Sequence, residues 1–192
     1  KLEDGTVTVP AGFENHNARF ALVEIVNIFD SGLTFEPIHR VLFDIDKNLL
    51  IKKIQAKLGG TLSEAVSKEE LAEKVKTSSA SFGFVFMQEG QQKYVLLETP
   101  VKELAVSRIQ PVIDEFLEEV NSSKDKIDYI HGTDEVFRLG AKENAVSVLL
   151  PPVAKDSFFA TINSRGPLPR KSFSMGEACE KRFYLECRRL FD

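Results

Sequence analysis

Phe82-Gly-Phe-Val-Phe-Met87, Glu89-Gly-Gln-Gln92 and Tyr94-Val-Leu-Leu97 follow one another in the middle of the chain. Two runs rich in aromatic and aliphatic residues, joined by a polar stretch with a glycine, have the composition of a β-hairpin. A hairpin pairs its strands antiparallel, so a mixed α+β sheet is expected rather than a uniform parallel one. Upstream, Phe20-Ala-Leu-Val-Glu-Ile-Val-Asn-Ile28 is almost continuously apolar and reads as a strand buried on both faces. Asp30-Ser-Gly32 turns the chain, and Leu33 to Ile45 resumes as a second strand in which Pro37 marks an edge or a bulge.

Helices fill the intervals. Asp46 is an N-cap for a helix through Leu58, with Leu50, Ile54 and Leu58 at i, i+4 and i+8 and Gly59-Gly60 as its stop. Ser67-Lys-Glu-Glu70 is a capping box opening a helix to about Thr77, with Leu71 and Val75 inward. Beyond the hairpin, Ser107-Arg-Ile-Gln110 has the form of another box, opening a helix to near Ser122 with Pro111 in its first turn. Ile127-Asp-Tyr-Ile130 is a short strand, and His131-Gly-Thr-Asp-Glu135 a strand-to-helix corner capped by Thr133. Ala145-Val-Ser-Val-Leu-Leu150 is a strand closed by Pro151-Pro152, and Asp156 caps a helix to about Asn163. Arg182-Phe-Tyr-Leu-Glu-Cys-Arg188 alternates with period two and favours a strand, a helix over 176–189 being the alternative. The expected architecture is therefore α+β: a mixed sheet with at least one hairpin, flanked by four to five helices. Residues 1–18 read as a flexible lead-in, and residues 19–192 as one domain.

The chain has 192 residues, 43% hydrophobic and 28% charged, with a net charge of −4 and a pI near 5.5. That length needs neither disulfide nor metal to build a core. The acidic balance disfavours broad nucleic-acid or membrane binding. No run approaches the roughly 18 apolar residues of a membrane helix, and no signal peptide opens the chain. Cys179 and Cys187 do not form a secreted scaffold, so reduced thiols and a cytoplasmic location are expected. The first residue is Lys, which suggests a piece of a longer protein.

One segment departs from the acidic average. From residue 164 to the end there are seven Lys or Arg against four Asp or Glu, a local charge of +3 that leaves −7 for the preceding 163 residues. Within it, Gly166-Pro-Leu-Pro-Arg-Lys-Ser-Phe-Ser-Met-Gly176 is stiffened by proline and carries Arg170, Lys171, Ser172 and Ser174, all donors to an anion. Glu36-Pro-Ile-His-Arg40 sets His39 beside Arg40, although adjacent strand residues point to opposite faces and need not act together. His131 stands where a strand meets a helix N-terminus, a place that favours anions. The candidate ligand-binding residues are thus His39, Arg40, His131, Arg170, Lys171 and Ser172. The three histidines, at 16, 39 and 131, form no structural zinc pattern, so no metal is expected. GxxxxGK[ST], GxGxxG and GxSxG are all absent, which leaves Ser172 and Ser174 without a nucleophilic partner and assigns no catalytic residue.

Phe35-Glu-Pro-Ile-His-Arg-Val41, His131-Gly132, Leu150-Pro-Pro152, Gly166 to Ala178 and Lys181 to Arg188 together resemble the C-terminal half of the bacterial and archaeal proteins known as domain of unknown function 1015. The resemblance spans roughly residues 17–190. Relatives carry an upstream motif similar to one in the ParB/sulfiredoxin-like fold, some of whose members phosphorylate free serine with a nucleotide, and this chain has nothing like it. The resemblance implies that any phosphotransfer centre lies mostly in an N-terminal half outside this chain. The leading expectation is a region that completes a small-anion or nucleotide pocket with that half, Arg170 and Lys171 gripping charged oxygens while His39 or His131 orients the ligand. The alternative is a non-catalytic structural or interaction region, the basic loop docking an acidic surface in cis or in a homodimer. DNA contact by analogy with ParB proteins is a third reading, disfavoured by the pI.

Overall fold

Alternation along single strands builds two apolar layers at once. In β3 (Ser81–Gln88) Phe82, Phe84 and Phe86 enter one core and Val85 the other, because successive strand residues point oppositely. β4 (Gln91–Glu98) returns through Glu89 and Gly90, whose φ values of 52° and 73° are the left-handed pair that a two-residue hairpin turn requires. The structure, a computed structural model, describes residues 11–20, 23, 25–120 and 124–176. Around the hairpin, β1 (Phe35–Phe43), β2 (Thr61–Glu64), β5 (Ile127–His131), β6 (Ala145–Leu149) and β7 (Phe173–Met175) complete a seven-stranded sheet. The strand order is β2-β4-β3-β6-β1-β5, with β7 paired to β1. The pairings among the described residues are antiparallel, and with five α-helices the fold is α+β.

The helices divide between the two faces. α1 (Lys47–Leu58) and α3 (Ala105–Glu119) cover the phenylalanine side, adding Leu50, Ile54, Ile109, Ile113 and Phe116 to that core. α2 (Lys68–Lys76) and α4 (Thr133–Gly140) cover the other side, where Leu71, Val75 and Val136 pack on Val85, Leu96 and Leu149. α5 (Lys155–Arg165) follows β6 and meets the start of α3, where Thr161 Oγ1 accepts from the Leu104 N–H at 3.2 Å. At Gly140 a Cβ would fall 2.8 Å from Val85 Cγ1 and 2.9 Å from its carbonyl oxygen. Only glycine lets α4 lie this close to the sheet. Among the described residues no helix is long and apolar enough to cross a membrane.

Two sequence-read caps hold. Asp46 Oδ1 accepts from the N–H groups of Asn48 and Leu49 at 2.9 and 3.1 Å. Ser67 Oγ accepts from the Glu70 N–H at 3.2 Å, while Glu70 Oε2 accepts from the Val66 N–H at 2.6 Å. Others do not. α3 begins at Ala105, before Ser107, whose hydroxyl donates to the Leu104 carbonyl instead of capping. Gly132 rather than Thr133 precedes α4, and Ala154 rather than Asp156 precedes α5; neither position supplies a side-chain cap. The described residues of 20–28 are not in a strand, and Phe20, Val23, Ile25 and Val26 are exposed, Ile25 by 94%. An apolar run becomes a buried strand only where a sheet offers it a partner. β2 and β7 were not foreseen, being short and set in polar or Pro/Gly-rich sequence. The run 182–188, both cysteines and residues 1–10 of the expected lead-in lie outside the described residues.

Candidate functional site: a cleft between two helices

His39 and Arg40 leave β1 on opposite sides, as strand alternation demands. His39 goes toward α2 and α4, and Arg40 toward α3. Each is almost wholly buried, 2% and 0% exposed respectively. Their surroundings give them different work.

On the α3 side, Arg40 ties three segments together. Its Nε donates to Gln110 Oε1 at 2.9 Å, Nη1 to the Ile38 carbonyl, and Nη2 to the Lys171 carbonyl at 3.0 Å. The guanidinium lies 5.2 Å from the ring centroid of Tyr129, its cross-strand neighbour on β5. Arg170 approaches the same ring, its Cζ 5.6 Å from the centroid, and its Nε donates to the Tyr129 hydroxyl at 3.0 Å. Gln110 Nε2 in turn donates to Asp114 Oδ1 at 3.0 Å, and Arg170 Nη2 sits 3.9 Å from that same oxygen. Burial pulls the Arg40 guanidinium down to about 10, against the raising influence of Tyr129 and Asp114, so it stays charged at neutral pH. The basic loop is thereby latched to the body. Lys171 takes φ 54°, is exposed, and engages through its backbone carbonyl. Ser172 is buried and donates to the Pro169 carbonyl within the loop.

On the opposite face a cavity of about 470 Å³ opens between α2 and α4. Glu36, Pro37 and His39 of β1 form one wall, and Glu69, Ala72, Glu73 and Lys76 of α2 another. The β5–α4 corner supplies His131, Gly132 and Thr133, and the end of β6 supplies Leu149, Leu150 and Pro152. Arg40, Arg170, Lys171 and Ser172 are not among its lining residues. The structure therefore brings together His39 and His131 of the six candidates, and gathers the other four at the α3 face.

Inside the cavity wall, His39 Nδ1 accepts the Leu150 N–H at 3.0 Å. Desolvation, helped by the nearby Arg40 charge and by His131, lowers its pKa from 6.5 to about 4, so the ring is neutral. With Nδ1 serving as acceptor, the ring proton resides on Nε2, and the ring borders the cavity. α4 starts at the same cavity with no side-chain cap, so its first N–H groups are available to an acceptor. Glu69 is held below the usual carboxylate range by its own backbone N–H and by Ser67, with Lys68 adding a smaller effect. Among the described residues no group of three or more His, Cys, Asp or Glu suits a metal ion. Sequence reasoning missed Glu36, Glu69, Glu73 and Lys76. The one available signal was Glu69 and Glu73 at i and i+4, like charges on one helix face.

The family described as "Protein of unknown function (DUF1015)" matches over residues 7–120, more than half of the chain. The chain belongs to the DUF1015 family. The matched part of this DUF1015 chain carries β1 with His39 and Arg40, and all of α1, α2 and α3; His131 and the basic loop lie beyond it. No curated protein matches the sequence. Among solved structures, a mutant free serine kinase in complex with AMP is similar with a TM-score of 0.51 and 18% identity, over 80% of this chain and 58% of that one. A mutant free serine kinase in complex with ADP gives 0.52 and 15%, over the same shares. A conserved hypothetical protein from Pyrococcus furiosus gives 0.51 and 16%, over 81% of this chain and 61% of that one. At these identities the likeness is one of fold alone, and the chain spans under two thirds of each of these structures.

Proposed function

We propose that the cleft between α2 and α4 is a small-ligand pocket, and that this DUF1015 chain forms part of a kinase-like protein acting on a small molecule. The observation that carries the reading is His39: a buried, neutral ring fixed at Nδ1, whose Nε2–H is left to serve the cavity beside the uncapped start of α4. A ligand carboxylate or phosphate oxygen would accept from it together with the α4 N–H groups. His131, in the same wall, orients the ligand. Arg170 and Lys171 hold the loop in place rather than gripping the ligand. The fold it shares with free serine kinases crystallised with AMP and ADP makes a nucleotide and an amino acid the first compounds to try.

The test is a thermal-shift titration with AMP, ADP, inorganic phosphate and L-serine, comparing the chain with His39→Asn. Asn keeps an acceptor for the Leu150 N–H and removes the Nε2 donor. The expected result is a saturable rise in Tm for at least one compound, lost in the variant. No rise, or an equal rise in both proteins, overturns the proposal. A second reading, an interaction region, draws on the exposed apolar side chains of Phe20, Val23, Ile25 and Phe29. Sedimentation equilibrium reads it directly: a monomer at micromolar concentration counts against self-association through that segment.

A further inference from the structure

The first three residues of β1 have a single strand beside them. Pairing with β5 begins at Ile38 and pairing with β6 at Arg40, so Phe35, Glu36 and Pro37 meet only β7 among the described residues. That ladder is short. The Gly176 N–H donates to the Thr34 carbonyl at 3.3 Å, which by antiparallel alternation makes Glu36 and Ser174 the next bonded pair. Phe35–Met175 and Pro37–Phe173 are then the non-bonded pairs, and Pro37 forfeits no bond there by lacking an N–H. Glu36 and Pro37 also line the cavity. Part of the cavity wall thus depends on a three-residue strand at the end of the basic loop.

What keeps β7 in place lies on the α3 face. The loop before it is held by the Arg40 bond to the Lys171 carbonyl and the Arg170 bond to the Tyr129 hydroxyl, each 3.0 Å long. Asp114 adds little, its carboxylate being 3.9 Å from Arg170 with both side chains open to solvent. Within β7, the Phe173 ring stacks on Phe35 at 4.5 Å and meets Phe158 of α5 at 5.6 Å. A segment with so few ties, some of them exposed, opens before the rest of a fold does.

We propose that residues 166–176 are a releasable strap, latched on the α3 face by Arg40 and Arg170, whose release unpairs Phe35–Pro37 and opens the cleft wall on the opposite face. Ile38, where pairing with β5 begins, is the hinge. As a gate for a ligand the strap rests on the cleft reading above; as a mechanical unit it stands without one.

Native-state hydrogen exchange of the ligand-free chain, followed by NMR amide by amide, tests it. Glu36, Ser174 and Gly176 are expected to exchange at matched rates, at least a hundred-fold faster than Phe84 and Val148 in the middle of the sheet. Arg170→Gln, at an exposed position, is expected to accelerate all three ten-fold or more and leave Phe84 and Val148 unchanged. Tyr129→Phe keeps the ring, deletes the hydroxyl acceptor and should speed the same three amides. Glu36 exchanging as slowly as Phe84, or not accelerated by Arg170→Gln, overturns the strap. Equal acceleration of Phe84 does so too, since it marks a loss of global stability. No ligand enters the measurement, so such a failure leaves the cleft reading standing. Loss of the cleft reading in the thermal-shift titration leaves the exchange result standing in turn.

Discussion

Replacing Arg40 by Met tests whether this buried cation is a latch. The substitution removes three donors and keeps much of the apolar stem. Gln110 Oε1 and the Lys171 carbonyl lose the partners that they have at 2.9 and 3.0 Å, and the Ile38 carbonyl loses its Arg40 donor. A buried acceptor left unmade costs about 1–3 kcal/mol. Two such acceptors give about 2–6 kcal/mol, and relief from burying a charge offsets part of that. The expected net loss is about 3 kcal/mol, read as a shift in the urea midpoint at constant slope. The same change releases the loop, so trypsin is expected to cut after Arg170 or Lys171 at least ten-fold faster. Arg40→Lys keeps the charge without the planar fork and falls between the two. A loss under about 1 kcal/mol with unchanged tryptic rates would refute the latch, and return Arg40 to the ligand candidates.

Three further outcomes follow from the geometry. His39 is neutral when folded and titrates near 6.5 when unfolded, so between that pH and about 4 the unfolded state holds the extra proton. Its contribution is full above pH 6.5 and is lost as the pH falls toward 4, on the order of 3 kcal/mol over the window. Urea denaturation at pH 7, 5.5 and 4 should show a shallower decline in His39→Asn than in the parent; parallel declines would contradict the assignment. Gly140→Ala places a methyl group against Val85, and is expected to cost about 1–3 kcal/mol by thermal or urea unfolding. Ser67→Ala removes the α2 cap and should cost about 1 kcal/mol by the same measure.

Much of the architecture was legible because local chemistry and global fold agree. The hairpin residues alternate between two cores, and Asp46 and Ser67 cap the helices that their positions announce. Strand alternation by itself also separates His39 from Arg40. What failed depended on distant partners. The apolar 20–28 run was read by composition, yet its described residues join no strand. Thr61–Glu64 and Phe173–Met175 are strands because β4 and β1 lie beside them, not because of their own residues. The basic loop shows the same limit at the site. Charge and proline content pointed to an anion, but Tyr129, 41 residues away, takes the Arg170 guanidinium, and Arg40 takes the Lys171 carbonyl across 131 residues. The carboxylates of α2 stay exposed and read as an ordinary solvated helix face; only the folded chain shows that Glu69 and Glu73 border the cavity.

The most direct measurement is an NMR titration of the isotope-labelled chain with L-serine and, separately, with AMP. The account predicts saturable shifts of the Gly132 and Thr133 amides, of the His39 ring, and of the 69–76 stretch, with the 166–172 loop unmoved. Shifts confined to Arg170, Lys171 and their neighbours, or none at the cavity wall, would contradict it.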